Sequence, residues 1–145
     1  MSLTEELSRL LELYRELSSL ARVMAGLARQ DQIQALEDAW AKRRVLFKRL
    51  EKQWSRLEPW SGDWQAALDA LAPEEAHRCR RLMAELESSG SRILEADRQT
   101  AEHGRRWREQ LREDLTRISA GRRLLRAYGT SGRMVAPRHS LAKSG

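Results

Sequence analysis

A single cysteine, Cys79, stands in 145 residues, so no intramolecular disulfide forms, and such sparse thiol usage fits a reducing compartment. Proline occurs three times and glycine eight, mostly around 59–73 and after 128, which spares the interiors of the long segments. No run of about 18 apolar residues exists, so no membrane-spanning segment or membrane insertion is expected. The amino terminus lacks a basic stretch followed by an apolar core, so no secretory signal is expected. These absences together point to the cytoplasm.

Chemistry is equally sparse. The histidines are His77, His103 and His139; His77 and Cys79 are two apart and so point to different helix faces, which argues against a metal site. No glycine-rich phosphate loop follows a strand-like run. The adjacent acids Glu37-Asp38 and Glu113-Asp114 do not converge on a common point and read as solvated charge. No catalytic residue, cofactor or metal is expected, and the chain does not read as an enzyme.

What the chain does have is helix. Ala, Leu, Glu, Arg and Gln dominate, all good helix formers, with 33% charged residues and 6% aromatics. The fold class expected is all-α. Charge is uneven: residues 98–145 hold twelve basic and four acidic side chains, net +8, against net −2 for residues 1–97. A basic end can attract nucleic acid, anionic lipid or an acidic protein face, or be a solvated arginine-rich surface.

Segment one, about 3–29, repeats apolar residues at Leu3, Leu7, Leu10, Tyr14, Leu17, Ala21, Met24 and Ala28. This alternation of four and three is the mark of a helix-packing seam, and Leu11, Leu13, Leu20 and Leu27 widen it. Ser2 or Thr4 can cap its start. Asp31 with Gln34 resembles a capping box opening segment two, about 32–57. The second seam is Ile33, Leu36, Trp40, Arg43, Phe47, Leu50, Trp54 and Leu57. Arg43 breaks the register and is expected to snorkel, its stem on the core and its head in water. The short connection makes the two segments antiparallel neighbours. Trp60 and Trp64 flank a Ser-Gly turn before a short helix, about 64–71, and are expected to close the bundle end.

Segment three reads as one long helix, about 74–128, with a kink near 88–91 as the alternative. Its stripe runs from Cys79, Met83, Leu86, Gly90, Ile93, Asp97, Thr100 and Gly104 on to Trp107, Leu111, Leu115, Ile118, Leu125 and Tyr128. The architecture expected is an antiparallel hairpin plus a long third helix, an elongated, coiled-coil-like bundle. Residues 1–128 form one helical domain, and 129–145 a flexible basic tail. At 1.5 Å per residue the hairpin arms are roughly 38 Å long and segment three roughly 80 Å. The last stretch therefore overhangs and exposes its apolar edge, which marks a partner site at Trp107, Leu111, Leu115, Ile118, Leu125 and Tyr128. Homodimerisation, a folded-back tail or a client helix would cover it.

Several segments carry a resemblance. They are Leu11-x-Leu13-Tyr14 through Met24-Ala25-x-Leu27-Ala28, Gln32-Ile33-x-Ala35-Leu36, Arg43-Arg44-x-Leu46, Ile93-Leu94-Glu95-Ala96-Asp97, Gly121-Arg122-Arg123 and Ala127-Tyr128. In order and spacing they resemble the FliT family of flagellar type III export chaperones, and more distantly FlgN. The resemblance implies a small helical cytoplasmic chaperone. It would hold a filament-cap or hook-associated subunit, bring it to the export ATPase complex and gate, and use its last helix to cover or regulate the client site. Two other classes stay open: a structural coiled-coil component of the export ATPase complex, and a basic helical nucleic-acid binder, disfavoured because the aromatics are not interleaved with the basic tail.

Overall fold

The computed structural model describes residues 2–103 and 105–130, with side chains described for all of these except 105, 106 and 122–130. Six helices and their connections account for the described residues, with no strand among them. Helix α1 (Leu3–Arg29) starts at Ser2, whose Oγ accepts a hydrogen bond from the Glu5 amide at 3.2 Å. Thr4 does not cap; its Oγ1 donates to Glu75 Oε2 at 2.7 Å and lies 3.2 Å from Cys79 Sγ. All eight seam residues of α1 are buried.

The connection to α2 (Ile33–Arg56) differs from the capping box expected there. Asp31 takes φ 58°, the left-handed region that aspartate tolerates better than most residues, and the cap position is Gln32, without a side-chain cap bond. Along α2 the seam residues Leu36, Trp40, Arg43, Phe47 and Leu50 are buried, Trp54 is half-buried, and Ile33 at the first turn is exposed. Two short helices follow, α3 (Glu58–Ser61) and α4 (Trp64–Asp69), the latter capped by Asp63 Oδ1 accepting from the Ala66 amide. Trp64 is buried and Trp60 packs beside it on the main core, so the pair closes one end of the bundle.

Helix α5 (Pro73–His103) returns parallel to α1, a direction set by Thr4–Glu75 at one end and the Arg15–Glu85 ion pair, 2.7 Å, further up. It passes 88–91 without a break; Ser89 and Gly90 are buried within it. The interruption falls instead between His103 and Arg105, where α6 (Arg105–Thr130) begins.

The overhang is thereby corrected. Helix α6 folds back antiparallel to α5 and lies beside α2. Trp107 stacks on Trp40, Asp114 meets Arg43, Arg117 pairs with Glu51 at 2.8 Å, and Gly121 sits against Trp54. Leu111 and Ile118 are each 1% exposed inside the monomer. The physical reason is one of length: α6 at 26 residues matches α1 at 27 and α2 at 24, so a reversal lets it cover the open side of the hairpin. The result is an up-down-up-down bundle. Of the basic tail expected over 129–145, residues 131–145 lie outside the described residues.

Candidate functional site

The seam between α2 and α6 is unlike the rest of the interior. On α6 the positions facing inward are Trp107, Leu111, Asp114, Ile118 and Gly121, an unbroken four-three-four-three spacing. Opposite stand Trp40, Arg43, Phe47, Leu50 and Trp54 on α2, with the same spacing. Trp40 and Trp107 stack, ring centroids 5.4 Å apart and planes 22° from parallel. Leu111 packs in a cluster with Met24, Ala28, Leu36, Ala39 and Trp40. Ile118 joins the main core with Leu17, Phe47 and Ile93.

At the middle of this seam lies a buried ion cluster. The Arg43 guanidinium donates from Nη1 and Nη2 to the two carboxylate oxygens of Asp97 on α5, at 2.8 and 2.6 Å. Its Nε donates to Asp114 Oδ2 on α6, at 2.7 Å. Arg43 therefore does not snorkel. It is wholly buried, its guanidinium carbon 5.3 Å from the Trp40 ring centroid and 5.2 Å from that of Phe47. Asp114 is not solvated charge either, since its side chain is only 15% exposed.

One cation shared by two carboxylates leaves an excess negative charge under the surface. Burial accordingly pushes the Asp97 carboxyl up from its ordinary value, more than the Arg43 fork pulls it down, and Asp114 adds to the rise. For Arg43, burial works against the charged form, but the hydrogen bonds and charges of the two aspartates outweigh it and hold its value above the ordinary one. The Trp40 Nε1–H, also buried, has no acceptor among the described residues. Beside the cluster, α2 and α6 stand apart around a cleft of about 350 Å³ whose walls include Arg44, Lys48, Gln110 and Glu113.

Of the residues expected to form a partner site, Trp107, Leu111 and Ile118 are brought together on this seam. Leu115 lies to one side, half-buried. Leu125 and Tyr128 continue the seam spacing along α6, but their side chains lie outside the described residues. Arg43, Asp97 and Asp114 are what the sequence reading missed as a unit. The signal was present: Asp114 is three residues after Leu111 and four before Ile118, squarely on the seam.

Among the described residues no three His, Cys, Asp or Glu side chains group as metal ligands. No helix among them is long and apolar enough to cross a membrane.

No curated protein and no solved structure matches the chain. A family model described as flagellar protein FliT matches residues 11–130, which takes in the whole seam and all four long helices apart from the first turns of α1. The chain belongs to the FliT family of flagellar export chaperones, which bind protein clients.

Proposed function

We propose that this chaperone works in the cytoplasm, holds a filament-cap-type flagellar subunit and hands it to the type III export apparatus. It buries an amphipathic helix of that subunit along the α6 seam. Helix α6 is the exchangeable wall of the bundle. When it swings out, Trp107, Leu111, Leu115 and Ile118, with Leu125 and Tyr128 further along, become the gripping edge for the client helix. The mechanism is helix-in-groove burial without covalent chemistry.

The observation that carries this reading is the placement of the buried ion cluster in the α2–α6 seam. A buried ion pair stabilises a fold less than well-packed apolar side chains of the same volume, because desolvation offsets the attraction. Opening the seam returns Arg43 and Asp114 to water, so part of the cost is refunded by hydration. Exposing Leu111 and Ile118 costs about 1.5–3 kcal/mol each, which an apolar client edge restores. Of the 15 α6 side chains described, Leu111, Ile118 and Gly121 are buried, a smaller share than the 12 of 27 on α1, 7 of 24 on α2 or 10 of 31 on α5. Among the long helices, the one with the sparsest described burial is expected to open first.

The test uses the purified carboxyl-terminal segment of a filament-cap subunit, titrated by fluorescence anisotropy. Leu115→Glu, at a half-buried position, is expected to weaken binding at least tenfold with helicity by circular dichroism unchanged. Wild-type binding is expected to persist at high salt, unlike a nucleic-acid contact built on phosphates. Undiminished or tighter binding by Leu115→Glu would overturn the gripping role and leave α6 a cover only. Loss of helicity would assign Leu115 to the core.

A further inference from the structure

The α1–α2 face of the bundle carries a second feature that the seam does not explain. Between α1 and α2 runs an open cleft of about 640 Å³, floored by Leu20, Val45 and Leu46. Val45 is 51% exposed. Val23, three residues beyond Leu20 on the same face of α1, is 55% exposed and extends the apolar strip. These are among the few large apolar side chains the described residues leave in water. Arg15, Lys42 and Arg49 rim the cleft, with Glu16 as the carboxylate among its lining residues. Arg15 is engaged by Glu85, but Lys42 and Arg49 have no carboxylate within ion-pair reach among the described residues.

We propose that this cleft is a second docking surface, open in the closed monomer, for an acid-flanked amphipathic helix of a partner protein. The apolar strip of Leu20, Val23, Val45 and Leu46 offers a seat for the apolar edge of a helix, and the unpaired cations on its rim select carboxylates on the partner's flanks. The chain's own carboxyl end has the wrong sign, since residues 131–145 carry Arg133, Arg138 and Lys143 and no acidic side chain. Pairing the cleft with itself in a second copy fits poorly as well, because it sets the unpaired Lys42 and Arg49 of one copy against those of the other. The site is independent of α6: its lining comes from α1 and α2 alone, so it is available whether or not the seam is open.

The probe is a fluorescein-labelled 18-residue amphipathic peptide with a leucine stripe and glutamate flanks, compared with a peptide of the same stripe and lysine flanks. The full-length chain is expected to bind the glutamate peptide at least tenfold more tightly. Val45→Asp should weaken that binding at least tenfold. The double substitution Lys42→Glu and Arg49→Glu should reverse the preference toward the lysine peptide. Leu115→Glu should leave it unchanged. All these positions except Leu115 are exposed, and circular dichroism checks that the fold is kept. Equal binding of the two peptides, or indifference to both cleft variants, would overturn the proposal. So would loss of the peptide on Leu115→Glu, which would place it on the α6 seam. Sedimentation showing a dimer that Val45→Asp dissolves would overturn it too, by assigning the cleft to self-association.

Discussion

Arg43 and Asp97 meet through two parallel hydrogen bonds, 2.6 and 2.8 Å long, with both side chains out of contact with water. The third bond of the same guanidinium reaches Asp114, so one side chain of α2 ties α5 to α6. The planar fork is what makes this possible. A lysine ammonium at the same place could not present two parallel donors to one carboxylate and a third, sideways, to another.

Removing that cation leaves two carboxylates without their partner, one of them wholly buried. Arg43→Leu is expected to cost about 3–5 kcal/mol of unfolding free energy. Arg43→Lys should retain part of it. The double substitution Arg43→Met with Asp97→Leu should recover much of the loss, because Asp114 is near enough to the surface to turn toward water. Urea unfolding of the three variants checks the order. A double variant less stable than Arg43→Leu would mean that the cluster, rather than its unpaired remnant, carries the stability.

The same cluster sets a pH dependence of unusual sign. Because burial raises the Asp97 carboxyl above its ordinary value of 3.8, the folded protein takes up a proton before the unfolded chain does. The stability this group contributes is therefore fully present below 3.8 and is lost as pH rises through the raised value. As pH is lowered from neutral toward that ordinary value, the wild type should hold or gain stability relative to Asp97→Asn, which lacks the titrating group. Urea midpoints at a series of pH values measure the difference. A wild type that weakens faster than the Asn variant over this range would show that the Arg43 fork wins and the carboxyl sits low.

The legible part of this fold was its periodicity. Leu3 through Ala28 and Leu36 through Leu57 keep a four-three spacing that only a packed helix needs, and the antiparallel relation of α1 and α2 followed from a three-residue connection. The reversal before α6 was not legible, because Gly90 and Gly104 both fall on the segment-three stripe and the apolar phase survives across each. Nothing local marks Gly90 as lying inside a continuous helix, or 103–105 as the place where one helix ends and the next begins. The distinction is tertiary: α6 is as long as the groove it fills. The ion cluster was hidden for a related reason. A lone Arg43 on one seam and a lone Asp97 on another are each readable as tolerated exceptions until the two seams are known to face each other. Asp114 was passed over for Leu115 because leucine looks like core, although the spacing from Leu111 to Ile118 selects the aspartate.

Gly121 offers the sharpest probe of how α6 is seated. A methyl group built there would stand 2.8 Å from Trp54 Cζ2 and 3.1 Å from the Tyr14 hydroxyl oxygen. Both belong to rigid rings, and Tyr14 is wholly buried and meets Trp54 edge-on at 6.3 Å, so neither can yield without disturbing the other. Overpacking of this kind costs about 1–3 kcal/mol. Alanine's better helix propensity returns up to about 1 kcal/mol. Gly121→Ala should therefore act on the seam more than on the bundle. Amide exchange is expected to quicken along 107–121 while the first half of α5, which supplies none of the three atoms nearest that methyl, stays protected. Hydrogen exchange read by mass spectrometry resolves these segments. Exchange along 107–121 no faster than in the wild type would mean that α6 has slack where the structure shows none. Loosening of all four long helices together would mean that α6 cannot leave without the bundle, which would remove the physical basis for treating it as an exchangeable wall.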